Sequence, residues 1–170
     1  MINRAPYASA PPQSSCACAG CPAAGLPPHL YPPAGAQSKN LAGYIPVPAP
    51  GAAAAIIFEF TVPATMRLVL NQAGNNFVGG GFTEGTGDLI WQIWDNGVPI
   101  EDFDDIDFSL GNVAQPTWMA PIIFEEGHTV AFVILNPAGG PIPGGSGQVG
   151  ATLRGWYYNR LLAGTEEWPQ

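Results

Sequence analysis

Prolines divide this chain in two. Residues 1–55 hold 11 of its 19 prolines, together with 15 alanines and 5 glycines. Their only charges are Arg4 and Lys39, and they contain no acid. Pro-Pro pairs at 11–12, 27–28 and 32–33 fix φ and remove amide donors, which closes off helix and central strand. The stretch reads as an extended, polyproline-II-like arm, whose first 40 residues would span about 120 Å at about 3.1 Å each. Such a composition buries too little of its own apolar surface to offset the entropy of ordering. Either the arm is a flexible tether, or other protein chains hold it. The second reading is preferred, with Ile2, Tyr7, Leu26, Leu30, Tyr31, Leu41, Tyr44 and Ile45 spaced as pegs for shallow pockets.

Charge is as unevenly divided as proline. The arm carries +2, while the remainder sets 3 basic against 13 acidic residues, a net of −10, which together give −8 for the 170-residue chain. An acidic domain with so few cations is a poor match for phosphate backbones or anionic lipid, so neither nucleic acid nor membrane is an expected partner. The longest apolar run, Ala52 to Phe58, is too short to cross a bilayer. Behind Arg4, prolines at 6, 11 and 12 interrupt what a secretion signal would need as a continuous apolar core. Synthesis and retention in a cytoplasm is the expectation.

From residue 56 the text changes to short runs of β-branched and aromatic residues separated by Gly, Pro, Asn and Asp. Strands are expected at 56–62, 66–71, 88–94, 98–100, 106–110, 120–124, 128–135 and 149–158, with loops at 74–87 and 138–147. Asp95-Asn96-Gly97 is a tight hairpin signal. Eight strands of uneven length predict an all-β, antiparallel, jelly-roll-like β-sandwich at 56–160. The long Pro/Ala/Gly-rich arm 1–55 precedes it and a tail, 161–170, follows.

Few residues carry chemistry. Cys16, Cys18 and Cys21 are odd in number and clustered, so they cannot all pair within one chain. Three readings stay open: disulfides linking the arms of neighbouring subunits, a Cys₃His zinc site with His29, or small residues buried at contacts. Glu101 to Asp107 places five carboxylates in seven positions but lacks the glycine and distal glutamate of a calcium loop. It reads as solvated acids with Phe103 and Ile106 pointing inward. His128 is the only histidine after residue 55, too few for a metal centre on a sandwich, and no nucleophile elbow accompanies it. Trp91 and Trp94, at odd spacing on one strand, should face opposite sides of the sheet. Trp118, Trp156 and Trp168 offer aromatic surface for sugar rings or, by preference, for subunit interfaces. No catalytic residue, metal site or cofactor is expected. The interface candidates are Cys16, Cys18, Cys21, Tyr7, Leu30, Tyr31, Tyr44, Trp118 and Trp156.

The segments Gly87–Trp91, Pro121–Val130 and Leu153–Tyr158 of the β region, set behind an extended arm, give the chain its likeness. It resembles bacteriophage virion structural proteins, namely capsid decoration (cement) proteins and neck or tail accessory proteins with jelly-roll domains. The likeness covers about residues 56–160 and is architectural. It implies a non-enzymatic part of a virion, in trimers or rings on a major shell or tail protein, with arms laid over neighbours. The rival from another class is a carbohydrate-binding module or adhesin tip using exposed tryptophans. An enzyme would need a pocket lined by carboxylates.

Overall fold

The computed structural model describes residues 31–33, 35–81, 86–106 and 111–161. Eight strands account for most of them: β1 (Gln37–Pro46), β2 (Ala55–Thr61), β3 (Met66–Gly79), β4 (Ile90–Asp95), β5 (Val98–Pro99), β6 (Thr117–Phe124), β7 (Thr129–Leu135) and β8 (Gly147–Asn159). One short 3₁₀ turn, Glu101–Phe103, is the only helical element among the described residues. The strands form two antiparallel four-stranded sheets, a first of order β1-β8-β3-β6 and a second of order β2-β7-β4-β5.

Alternation of side chains builds one core between the sheets. Leu68, Leu70 and Ala73 of β3 and Val149, Ala151 and Leu153 of β8 supply one wall. Ile57, Trp91, Ile93, Val130, Phe132 and Ile134 supply the other. Trp91 is buried in that core, whereas half-buried Trp94 turns its indole N–H to Gln92 Oε1 at 2.8 Å, so the odd spacing separates them as expected. Ile106 is buried and Phe103 packs on the core, while Glu101, Asp102, Asp104 and Asp105 face solvent.

Three expectations are corrected. Residues 37–46, read as arm, are an edge strand that pairs with β8 over its whole length, from Gln37↔Tyr157 to Pro46↔Gln148. The reason is local: positions 34–45 contain no proline, so the amides that a ladder needs are present. Leu41 is buried and Ile45 packs on the core, which makes both part of this chain's interior rather than pegs for another. Residues 47–51 are tied in as well. Val47 N donates to Gly147 O (3.0 Å), Gly145 N to Val47 O (2.8 Å) and Gly51 N to Asn136 O (2.8 Å).

Residues 74–79, read as the start of a loop, continue β3, and each pairs with β8. Gly74 is small because the 111–115 segment crosses there: a side chain would collide with Asn112 O. Ile106, expected to open a strand, makes an isolated bridge to Trp91; residues 107–110 lie outside the described set. β1, read as arm, is one of the eight described strands.

Candidate subunit interface

β6 is an edge strand of the first sheet, and its sequence Thr-Trp-Met-Ala-Pro-Ile-Ile-Phe is apolar at both parities. Met119, Ile122 and Phe124 take the inner face and pack on the core. That leaves Trp118 and Ile123 on the outer face, 70% and 44% exposed. Pro121 lacks the amide that a ninth strand would use, which blunts the edge itself and leaves the face as the contact surface.

The outer face can be read in rows across the strands. One row runs Ser38, Trp156, Val69, Ile123, and the next runs Asn40, Arg154, Gln72, Trp118. Val69, Trp156 and Tyr158 form a second apolar cluster, separate from the core, with Ala36 packed on it. Trp156 is 7% exposed, so the reading of it as open surface is corrected: its neighbours on the sheet cover it. Arg154 reaches along its row to Val113 O through Nη2 at 3.1 Å. Further along the face, Tyr44 stands over Gly150, where any side chain on β8 would strike the tyrosine ring, and remains 49% exposed.

Of the sequence candidates, Tyr44, Trp118 and Trp156 thus share the outer face of one sheet, on three different strands. Tyr31 is 54% exposed ahead of β1. Tyr7, Cys16, Cys18, Cys21 and Leu30 lie outside the described residues. Ile123 was missed, although the unbroken apolar character of β6 signalled a strand covered on both faces.

Sequence reasoning also missed a polar cluster at one end of the molecule. His128 Nδ1 lies 2.9 and 3.0 Å from the two carboxylate oxygens of Asp95. Asn96 Oδ1 accepts from Thr129 N (2.9 Å), and Asn96 N donates to Thr129 O (2.8 Å). The pair thus ties the β4–β5 hairpin to the β6–β7 turn. The hydroxyls nearest in sequence, Thr129 and Thr61, bond to one another at 2.9 Å. Beside them, Arg67 holds Glu125 (Nη2 to Oε1, 2.6 Å; Nε to Oε2, 3.1 Å) and Arg160 holds Glu126 (2.6 Å). Partial burial lowers the Arg67 pKa, but its hydrogen bonds to Glu125 and Tyr158 outweigh this and leave it raised. The cluster does the work of a clasp between turns. Among the described residues no group of three His, Cys, Asp or Glu side chains is placed to hold a metal ion.

No family model matches this chain, and neither does any curated protein or solved structure.

Proposed function

We propose that this protein is a non-enzymatic structural component of a virion-like assembly. Its β domain docks on a shell or tail through the outer face of the first sheet, and its proline-rich arm lies over neighbouring subunits. The observation that carries this reading is the placement of Trp118 and Ile123 in the open, on the same outer face of an edge strand of a strongly acidic chain. Interfaces concentrate aromatic and aliphatic side chains at their centre and push charge to the rim.

The topology supports the same reading. Strand pairs β1–β8, β2–β7, β3–β6 and β4–β5 are those produced when one long antiparallel hairpin is rolled into two sheets. Such pairing supports reading the sandwich as a jelly roll, an architecture used in viral capsids and in lectins. The shared use by lectins makes Trp118 the residue on which the two readings divide.

Native mass, recorded with and without reductant, tests the proposal. Rings or larger species that fall apart when residues 1–30 are deleted are the expected result, and loss of mass in reductant would assign the cysteines to cross-links. A monomer at every concentration, with Trp118 fluorescence quenched by glycans, would sink the structural reading in favour of carbohydrate binding.

A further inference from the structure

We infer that Asn96-Gly97 is a self-modification site, at which Asn96 converts to aspartate or isoaspartate only when its clasp with Thr129 opens. The inference goes beyond the assembly reading and does not depend on it. Of the nine asparagines in the chain, Asn96 alone is followed by glycine. Elsewhere the next residue carries a side chain that crowds its own backbone nitrogen, or is proline, which has no N–H. At Gly97 a Cβ would meet nothing within 4 Å, and the Gly97 N–H makes no hydrogen bond among the described residues.

The only co-reactant is water. Gly97 N gives up its proton through solvent and bonds to Asn96 Cγ, the Cγ–Nδ2 bond breaks, and Nδ2 takes up a proton and leaves as ammonia. Water then opens the cyclic imide at either carbonyl, which leaves aspartate or isoaspartate at position 96.

Geometry holds the reaction back in the folded chain. Asn96 and Gly97 have φ of 51° and 80°, the left-handed pair of a type I′ turn between Asp95 and Val98. In such a turn ψ of the first central residue is about +30°. That sets Gly97 N nearly anti to Asn96 Cβ, whereas ring closure needs the two eclipsed. Thr129 fixes this arrangement twice, donating its N–H to Asn96 Oδ1 (2.9 Å) and accepting from Asn96 N (2.8 Å). His128, bonded to both carboxylate oxygens of Asp95, secures the same hairpin. Ring closure therefore waits for local opening, and its rate follows the open population. Isoaspartate adds a backbone carbon to a two-residue turn, and aspartate sets a second carboxylate beside Asp95. Either product loosens the clasp, so an opening that reacts is not reversed.

The test incubates the full chain and a peptide of residues 92–100 in the same mildly alkaline buffer. Peptide mapping by mass spectrometry follows the exchange of amide for acid, and isoaspartyl methyltransferase counts the isomer. The peptide should convert, and the folded chain should convert at Asn96 at least about tenfold more slowly. His128→Ala should speed the folded chain at least about threefold. Sub-denaturing urea should do the same to the parent, which keeps the test open should that variant fail to fold. Equal rates in chain and peptide, or no acceleration in urea, overturn the gate. Conversion in neither, or chiefly at another asparagine, overturns the site. Slower conversion in His128→Ala also overturns the gate, by making the histidine a proton acceptor in the reaction and not a fastener of the hairpin.

Discussion

Gly155 shows how much of this structure depends on one missing methyl group. It pairs with Leu70 where β3 bulges between Leu70 and Gln72, and a side chain there would drive into the Val69 carbonyl. Because the obstacle is backbone of a central strand, it cannot step aside. Gly155→Ala should cost at least about 2 kcal/mol in urea denaturation, comparable to a core truncation such as Leu153→Ala at about 2–5 kcal/mol. The arginine clasp is weaker, being partly exposed. Arg67→Met should lose about 0.5–1 kcal/mol. Its pH dependence has a definite sign. The folded pKa is raised above the unfolded one, so the contribution is complete below the unfolded value and fades only in strong alkali. Denaturation at about pH 6 and at about pH 9 should therefore give the same loss, and a difference would mean that Arg67 acts through another group.

At the level of elements, what the sequence reveals and what it hides follow from how local each signal is. Ile56–Thr61, Ile90–Asp95 and Thr129–Leu135 are legible because branched and aromatic residues run unbroken between turn signals. The Asp95-Asn96-Gly97 turn is legible because positive φ at Asn96 and Gly97 demands those residues. β1 and the second half of β3 are not, since Gln-Ser-Lys-Asn and Gly-Asn-Asn have no strand preference of their own. Their pairing partner, β8, lies 68 or more residues away (Gly79↔Gly147 being the shortest step), and only the ladder with it makes them strands. Distance in sequence also hides part of the interface: Val69, which pairs with Ile123, lies far from β6 along the chain, whereas Ile123 itself is announced by the apolar run of β6.

Two predictions belong to these elements. Deleting residues 1–30 should leave the thermal midpoint within a few degrees. Deletion through residue 46 strips the partner from β8 and uncovers its core side, so it should yield an unstable or aggregating chain. Asn136, buried, donates to Pro48 O (2.8 Å) and Ile142 O (2.9 Å), pinning the 137–146 loop to the segment after β1. Asn136→Ala leaves two carbonyls without that donor and should cost about 1–3 kcal/mol in the same denaturation assay.

For the whole molecule, charge and apolar surface pull in opposite directions. Among the described residues the arginines are engaged: Arg67 and Arg160 by carboxylates, Arg154 by backbone carbonyls. The acids in excess therefore set the field that one copy presents to another. Contacts through Trp118 and Ile123 have to overcome that repulsion, which reaches about 30 Å in 0.01 M salt and about 8 Å in 0.15 M. Association should strengthen as salt is raised, and sedimentation at the two ionic strengths would detect it. Weaker association in salt would point to contacts between opposite charges instead.

The single lysine of the chain has a place in this picture too. Lys39 Nζ lies 3.6 Å from the centre of the Phe60 ring, where β1 meets the second sheet, with the Tyr157 ring beyond at 5.9 Å. An amine held against aromatic faces is shielded from reagents, and Lys39 should react faster when β1 lifts. Lys39 is thus the one side-chain amine open to an amine-selective acylating reagent, and the rate of its modification reports on the seam between β1 and the second sheet.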